Sequence, residues 1–287
     1  MVAAGTRPGR DWGRVSACRS LSGHRWLASG PRRKAKRADG SGASSRGVGI
    51  GVGGGGGTMV SVPTLLLIRH GLTAATGHTL SGWTPGLHLD ERGTRQAEAL
   101  RDRLRRIPLA AFVVSPLERC VETASIVCGE RDLELVVDER LGEVRYGDWT
   151  GRELKALARE PLWKVVQAHP SAAAFPGGEA LREMQTRAVG AVRDWNERVG
   201  DEVTWALCSH GDILKAILAD ALGMHLDQFQ RIHVDPASLS VVRYTPLRPF
   251  VVRLNDVGGD VSDLLPPKKR RRRSRDAIVG GGAGGQA

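Results

Sequence analysis

Short, predominantly apolar runs recur along the middle of the chain, at residues 64–68, 112–114, 133–137 and 203–208. Runs of this length without polar alternation are typical of strands that are buried on both faces of a sheet. Two later segments, 238–244 and 250–254, alternate apolar and polar positions, and this pattern predicts edge strands.

Helical spacing fills the intervals between these strands. Apolar residues recur at steps of three or four from Ala97 to Ile107, behind Asp90, which can cap the helix. Pro116 is placed in the first turn of the next helix, a position that tolerates proline. Further helices are predicted at residues 154–158, 162–168, 180–195 and 213–222. Strands that alternate with helices predict an α/β fold, with a mostly parallel sheet covered by helices on both faces.

The positive charge of the chain is concentrated at its two ends. The 287 residues carry a formal net charge of +11, but residues 59–265 hold 24 Lys and Arg against 28 Asp and Glu. An acidic segment of this kind does not predict a basic nucleic-acid groove. We therefore expect no nucleic-acid partner, except for weak binding through the basic ends.

Composition divides the chain into three segments. Residues 1–58 are basic and glycine-rich, and we expect disorder there because they cannot bury enough apolar surface to offset the entropy of ordering. Met59 directly precedes residues 60–63, where ordered sequence is predicted to begin, so residues 1–58 are also a candidate for an extension that is not translated naturally. Residues 59–265 are predicted to form one domain. Residues 266–287 carry six consecutive cations and are predicted to be a solvated, disordered tail.

Cysteine usage and hydropathy indicate the compartment. The four cysteines lack CxxC spacing, so the sequence predicts neither a zinc site nor a disulfide framework. No apolar stretch approaches the roughly 20 residues of a spanning helix, and the N-terminal segment lacks the apolar core of a secretory signal. We expect a cytoplasmic protein with no membrane partner, and the Arg-, Ala- and Gly-rich composition suggests a bacterial source.

Polar side chains follow three of the predicted strands at the point where each strand ends. Arg69, His70 and Gly71 follow the first strand, Ser115 to Arg119 the second, and Ser209, His210 and Gly211 a later one. Ligands of α/β folds bind at the carboxyl ends of strands, and a glycine lets the backbone approach a ligand closely. Two arginines and two histidines that converge there would form a cationic pocket of phosphate size. A single histidine or arginine in such a place is most often structural, so the prediction rests on the joint pattern.

A carboxylic acid is expected beside such a pocket. Cleavage of a phosphate ester requires a proton for the leaving oxygen, and a positioned carboxyl can supply it. The glycine-rich segment 141–151 contains two candidates, Glu143 and Asp148, between which the residues alone do not decide.

The motifs together resemble the histidine phosphatase superfamily, in its phosphoglycerate-mutase-like branch. The matching segments are LLLIRHGLT (65–73), SGW (81–83), LDERGTRQA (89–97), SPLERCVETA (115–124), LGEVRYGDWTG (141–151), PGGEA (176–180) and SHGDILKAIL (209–218). The RHG motif alone is weak evidence, but all the motifs in this order are specific.

The resemblance implies a three-layer α/β/α sandwich and a covalent phosphohistidine intermediate. His70 would be the nucleophile, Arg69, Arg119 and His210 would hold the phosphoryl oxygens, and Glu143 would be the general acid and base. The resemblance implies no metal and no cofactor. Further phosphate contacts are expected from the glycine and hydroxyl positions of these motifs, namely Gly71, Thr76, Ser81 and Gly82.

Two sequence features qualify the resemblance. Thr76 stands where the family often has asparagine, so a contact to the phosphoryl group is expected to be weaker or carried by water. The second motif reads His210-Gly211-Asp212, so the His-Asp acid of the other branch does not transfer, and Asp212 is expected to cap the helix. Four aromatic residues are candidate pocket walls or core residues: Trp83, Trp149, Trp163 and Phe175.

The favoured function is hydrolysis of a small phosphorylated metabolite. The short stretch between Gly151 and Pro176 and the His-Gly-Asp sequence favour a phosphatase over the alternative, a phosphoglycerate-mutase-like phosphomutase. An inert scaffold and a tail-mediated nucleic-acid binder are further alternatives, and the complete set of charged site residues argues against the first. The sequence does not identify the substrate. The resemblance implies that a homodimer is possible.

Overall fold

The computed structural model describes residues 63–259, and these form alternating strands and helices as the sequence predicts. The six strands are β1 (Thr64–Arg69), β2 (Phe112–Val114), β3 (Leu135–Val137), β4 (Thr204–Ser209), β5 (Leu239–Tyr244) and β6 (Pro249–Asp256). The six α-helices are α1 (Glu91–Leu104), α2 (Glu118–Cys128), α3 (Leu154–Leu157), α4 (Pro161–Ala168), α5 (Leu181–Val199) and α6 (Gly211–Ala221). The predicted disordered segments, 1–58 and 266–287, lie outside the described residues.

The strands form one sheet in the order β3-β2-β4-β1-β5-β6. The first four of these are mutually parallel, and β5 runs antiparallel to both β1 and β6. This is the mostly parallel α/β sheet that the sequence predicts. The carboxyl ends of β2, β4 and β1 lie side by side at one edge of the sheet, because these strands are parallel neighbours.

Each face of the sheet is covered by helices over its own apolar core. Side chains of a strand alternate between faces, so Leu65 and Leu67 of β1 join one core cluster and Leu66 and Ile68 join the other. The first cluster includes apolar residues of the buried face of α5 and the buried apolar residues of α6. The second cluster includes the buried apolar residues of α1 and α2. The three-layer α/β/α sandwich is thereby confirmed.

The predicted cap of the first helix is present. Asp90 accepts a hydrogen bond from the amide of Gly93 at 2.8 Å, which satisfies one of the free N–H groups of the first turn of α1. Among the helices of residues 63–259, none combines the length and apolarity that a membrane crossing requires.

Two predicted features of the fold are wrong. Strand β5 is not an edge strand: it lies between β1 and β6, and Ser240, which made the pattern alternate, is buried and accepts a hydrogen bond from the amide of Asn255. Pro116 does not lie in the first turn of a helix, because the chain bends at residues 116–117 and α2 begins only at Glu118.

Candidate active site

The two histidines of the motifs lie side by side at the sheet edge. Strands β1 and β4 are paired so that Arg69 is opposite Ser209, which places the next residues, His70 and His210, level with each other. The backbone amide of His70 donates to the Ser209 carbonyl at 2.9 Å. The two imidazole ring centroids are 5.2 Å apart, with an interplanar angle of 62°. The register of two parallel strands thus brings the rings together.

The hydrogen bonds of His70 define its tautomer. Its Nδ1 atom lies 2.7 Å from the carbonyl oxygen of Gly71, and because a carbonyl only accepts, Nδ1 carries the proton. The other nitrogen, Nε2, therefore keeps its lone pair. Burial, followed by the charges of Arg119 and Arg69, holds the pKa of His70 well below its usual value. A neutral imidazole with a lone pair is the form that can attack phosphorus.

Two buried arginines supply positive charge to the same cavity. Arg69 donates from Nη1 to the Val234 carbonyl at 2.7 Å, and Arg119 donates from Nη2 to the Gly82 carbonyl at 2.8 Å. The Nη1 atom of Arg119 is buried and has no hydrogen-bond partner within residues 63–259. A buried guanidinium N–H of this kind is suited to an anionic oxygen.

His210 is fully buried behind these residues. Its Nε2 lies 2.7 Å from Ser115 Oγ, and its Nδ1 lies 3.2 Å from Arg119 Nη2. Because arginine only donates, Nδ1 accepts this bond and Nε2 carries the proton. Burial and the nearby cation Arg119 hold the pKa of His210 well below its usual value. His210 contacts Arg119 directly but does not line the cavity, so its predicted contact with a phosphoryl oxygen stays a prediction.

Glu143 lies on the segment between two short 3-10 helical turns, Glu139–Leu141 and Gly147–Trp149. It lines the cavity. Its side chain is buried, and its carboxylate accepts from the amide of Val144 at 2.9 Å. Burial, with the negative charge of Asp212 as the next cause, raises its pKa to about 8. The carboxyl is therefore protonated at neutral pH and can donate a proton. The other candidate acid, Asp148, is exposed and does not line the cavity.

An arginine that the sequence did not single out holds the segment that carries Glu143. Arg187 of α5 donates to the carbonyl oxygens of Arg140, Gly142 and Glu143 at 2.7, 2.8 and 3.0 Å. It also binds both carboxylate oxygens of Glu179, the acidic residue of the PGGEA motif. Nothing in the spacing of the sequence links Arg187 to residue 143, because the contact is made only by the packing of α5.

Behind the cavity lies a second buried group of polar side chains. The Tyr146 hydroxyl, which also lines the cavity, donates to Asp212 Oδ2 at 2.8 Å. Lys215 Nζ lies 3.8 Å from Asp212 Oδ1 and donates to Gln230 Oε1 at 3.0 Å. The prediction that Asp212 caps α6 is wrong, because the N-cap residue is His210 and the Asp212 carboxylate faces Tyr146.

The cavity has a volume of about 40 Å³ and contains most of the predicted site residues. It is lined by Arg69, His70, Thr73, Thr76, Gly77, Thr79, Leu80, Ser81, Gly82, Arg119, Glu143, Tyr146 and Leu154. Thr76 lies here, but its hydroxyl accepts from the Thr73 amide at 3.0 Å and is 3.0 Å from the Thr73 hydroxyl. Thr76 therefore closes the turn from residue 73 to 76 as well as facing the cavity.

Gly71 does not line the cavity. Its amide donates to Thr123 Oγ1 at 3.0 Å, and a Cβ atom here would lie 2.7 Å from the carbonyl oxygen of Gly93. Glycine is required at residue 71 because the start of α1 packs against the backbone there, and the expected contact of Gly71 with a phosphate stays a prediction.

The four aromatic candidates are not pocket walls. Trp149 and Phe175 are buried in the core, Trp163 packs against that core, and Trp83 donates from its indole nitrogen to the Glu143 carbonyl. The three cysteines among residues 63–259 are buried and form no disulfide with one another. Within the same range, no group of three or more His, Cys, Asp or Glu side chains is placed to hold a metal ion.

The site brings a neutral histidine, two arginines and a protonated carboxyl around one cavity, and this arrangement is chemically suited to phosphoryl transfer. The family model described as histidine phosphatase superfamily (branch 1) matches residues 65–257. The chain belongs to this superfamily, and its enzymatic class is phosphoric monoester hydrolase.

Individual relatives include phosphatases and a probable mutase. The chain is 30% identical over 194 residues to phosphoserine phosphatase 1 of Hydrogenobacter thermophilus, covering 62% of this chain and 89% of the relative. It is 29% identical over 180 residues to a Yersinia pestis protein named probable phosphoglycerate mutase GpmB, covering 62% of this chain and 83% of the relative. The crystal structure of the alpha-ribazole phosphatase from Shigella flexneri is similar with a TM-score of 0.62 and 26% identity, covering 69% of this chain and 98% of that structure.

Proposed function

We propose that this enzyme hydrolyses a phosphate monoester of a small metabolite through a phosphohistidine at His70, without a metal ion. The observation that supports this most strongly is the state of His70. Its imidazole is neutral, its Nε2 lone pair is free, and it lines the same cavity as Arg69, Arg119 and Glu143.

In the first step, Nε2 of His70 attacks phosphorus in line with the ester oxygen. The N–P bond forms, the P–O bond to the alcohol breaks, and Glu143 gives its carboxyl proton to the leaving oxygen. Arg69 and Arg119 neutralise the charge on the phosphoryl oxygens. His210 supports this step from behind the cavity, since its Nδ1 accepts from Arg119 and fixes the orientation of that guanidinium.

In the second step, the Glu143 carboxylate takes a proton from a water molecule whose oxygen attacks phosphorus. The N–P bond breaks, inorganic phosphate leaves, and both His70 and the Glu143 carboxyl return to their starting forms. A group that must act first as an acid and then as a base is most effective with a pKa near the working pH. Burial of Glu143, which raises its pKa to about 8, meets this requirement.

A phosphomutase is the second candidate, and the similarity to the Yersinia pestis protein named as a probable phosphoglycerate mutase is the observation that favours it. A mutase must keep the phosphoryl group from water, and between Gly151 and Pro176 the chain places the short helices α3 and α4 and a single 3-10 turn, Pro170–Ala172. We infer hydrolysis because this segment is short. Interconversion of 2- and 3-phosphoglycerate faster than release of phosphate would favour the mutase.

We also propose that the enzyme works in the bacterial cytoplasm. The named relatives come from bacteria, and the three cysteines of residues 63–259 form no disulfide with one another, as a reducing compartment favours. The homodimer and the weak binding of nucleic acid through the tails stay predictions.

Hydrolysis of p-nitrophenyl phosphate by the full chain tests the proposed function. We expect the wild type to turn this ester over equally with and without EDTA. His70→Ala should lose on the order of 10³-fold or more of kcat, as expected for removal of a nucleophile. His88→Ala is the matched control, since His88 is exposed and pairs with Glu122 outside the cavity. Activity that EDTA abolishes, or that survives in His70→Ala, would overturn the mechanism.

A further inference from the structure

The buried polar side chains behind the cavity take no part in either step of the proposed hydrolysis. Asp212 and Lys215 are only 1% and 3% exposed, and Tyr146 is buried with them. Burying a carboxylate and an ammonium is costly, and apolar side chains of similar size often replace such a pair without loss of stability. Buried charges beside a cleft are therefore candidates for a functional role.

Two side-chain hydrogen bonds tie the segment that carries Glu143 to the end of β4 and the start of α6. The Ser209 hydroxyl, at the end of β4, donates to the Leu141 carbonyl at 2.6 Å. The Tyr146 hydroxyl donates to Oδ2 of Asp212, in the first turn of α6, at 2.8 Å. Glu143 lies between the two tied residues along the chain. These two bonds, which we call the acid clamp, therefore hold the segment on both sides of the general acid.

The tyrosine side of the acid clamp is fixed by its surroundings. The Tyr146 ring packs edge-to-face on Phe175, with centroids 5.0 Å apart and an interplanar angle of 89°. A Cβ atom at Gly82 would lie 3.0 Å from Cδ2 of this ring, so the backbone there also packs against it. Burial raises the pKa of Tyr146 well above its usual value, so the hydroxyl keeps its proton and donates to Asp212. Lys215 Nζ lies 3.8 Å from the other oxygen of that carboxylate.

The direction of the Glu143 carboxyl depends on the backbone inside the acid clamp. Its Oε1 atom accepts from the amide of Val144 at 2.9 Å. A rotation of the peptide between residues 143 and 144 would therefore turn the carboxyl as well. Proton transfer to a leaving oxygen requires the acid to be within hydrogen-bond reach, so even a small movement of this segment should slow it.

We propose that Ser209, and Tyr146 acting through Asp212, are positioning residues for the general acid. This inference rests on the proposed phosphatase function. The acid clamp keeps the Glu143 carboxyl directed at the ester oxygen while the alcohol leaves. The junction of β4 and α6 thereby acts on the general acid as well as carrying the second histidine of the site.

Removal of the tyrosine hydroxyl tests the acid clamp in the full chain. Phenyl phosphate and p-nitrophenyl phosphate are similar in shape, but phenolate is the poorer leaving group and depends more on an acid. We expect Tyr146→Phe to lower the ratio of kcat/KM for phenyl phosphate to that for p-nitrophenyl phosphate by about tenfold, as for a lost hydrogen bond to a charged group.

Tyr244→Phe is the matched control for this variant. It removes the same atom from β5, outside the lining of the cavity, and should leave the ratio unchanged. A merely structural role of Tyr146 would lower the turnover of both esters together. A wild-type ratio in Tyr146→Phe, whether or not both rates fall, would overturn the proposal for this residue.

A second background shows whether Tyr146 acts through the general acid. In Glu143→Gln the acid is already absent, so the addition of Tyr146→Phe should not lower the ratio further. A further fall of about tenfold would show that Tyr146 acts independently of Glu143 and would contradict the proposal.

Ser209→Ala tests the other bond of the acid clamp. It should lower the same ratio by about threefold to tenfold, as for a lost neutral hydrogen bond. Urea unfolding of each variant establishes that folded proteins are compared. A wild-type ratio in Ser209→Ala would remove Ser209 from the acid clamp.

Turnover by the wild type separates the two proposals. If it hydrolyses both esters through His70, but Tyr146→Phe and Ser209→Ala keep the wild-type ratio, the acid clamp is wrong and the phosphatase function stands. If the wild type hydrolyses neither ester, the proposed function fails, and this inference fails with it.

Discussion

Arg187 is expected to be a positioning residue for the general acid, and its replacement by methionine tests this directly. Methionine keeps much of the apolar stem and removes the guanidinium. The guanidinium donates to three carbonyls of the segment 140–143 and to both oxygens of Glu179. After the replacement, the Glu143 carbonyl keeps only the indole N–H of Trp83 as a side-chain donor.

The size of the effect follows from burial. The side chains of Arg187 and Glu179 are 15% and 11% exposed, so their ion pair is close to a buried one. Removing one partner of a buried pair costs about 3–5 kcal/mol, and the residual exposure places this pair at the lower end, near 3 kcal/mol of unfolding free energy. Loss of a positioned general acid costs a further 10²-fold or so in the rate of esters whose leaving group needs a proton.

Urea unfolding and paired kinetics provide the measurement. We expect kcat/KM for an alkyl phosphate to fall by about 10²-fold in Arg187→Met and that for p-nitrophenyl phosphate to fall much less, because p-nitrophenolate leaves without a proton. Arg187→Lys, which keeps the cation, should recover part of both stability and rate.

Arg193→Met serves as the control, since Arg193 is exposed on the same helix and pairs with Asp220. It should change the unfolding free energy by less than about 1 kcal/mol. If Arg187→Met lowers the turnover of both esters equally, Arg187 stabilises the fold without positioning Glu143, and the reasoning is refuted.

Three further expectations concern Glu143 and the glycines. Glu143→Gln should slow alkyl phosphates far more than p-nitrophenyl phosphate, and equal losses would remove Glu143 from the acid role. The wild-type rate should fall above about pH 8, where Glu143 loses its proton. Asp212→Asn should move this fall to lower pH, because it removes a negative charge that raises the Glu143 pKa. An unchanged pH–rate profile in Asp212→Asn would contradict this effect of Asp212 on Glu143. Gly93→Ala should lower the unfolding free energy measured by urea or thermal unfolding, since its Cβ would lie 2.1 Å from the Leu72 carbonyl oxygen. Gly190→Ala in α5, where a Cβ would meet no atom within 4 Å, should raise the unfolding free energy by about 0.5–1 kcal/mol.

The raised pKa of Glu143 also predicts a pH dependence of stability. Between the usual value of 4.5 and about 8, the unfolded chain releases this proton while the folded protein keeps it. The unfolding free energy therefore decreases as pH rises through this window, by on the order of 1 kcal/mol per pH unit from this group alone. Glu143→Gln should remove that decrease and be more stable than the wild type at pH 8. Equal stabilities of the two proteins across this window, measured by urea unfolding, would contradict the assignment.

The polar site residues that follow β1 and β4 could be predicted because their positions depend on local sequence. Uniform apolar runs located β1 and β4, and the residue after each run falls at the sheet edge whatever the details of packing. The meeting of His70 and His210 needed only that their strands be parallel neighbours. The motif identified both Glu143 and Asp148 as candidate acids. The structure separates them, because the Glu143 side chain is buried and Asp148 is exposed, and the glycine-rich sequence does not show this difference.

The remaining parts of the site depend on contacts between distant residues. Arg187 is 44 residues away from Glu143 along the chain, and Tyr146 is 66 residues away from Asp212. Neither pair follows from helix or strand periodicity. Gly71 shows the same limit, because its packing against Gly93 in the first turn of α1 does not follow from the RHG motif.

Trapping the phosphoenzyme tests the central claim most directly. The full chain would be mixed with an aryl phosphate, quenched in alkaline denaturant within the first turnovers, and digested for mass spectrometry. We expect phosphate on the peptide that contains His70 in the wild type, more of it in Glu143→Gln, where water attack is slowed, and none in His70→Ala. Phosphate on a different residue, or turnover by His70→Ala at the wild-type rate, would contradict the account.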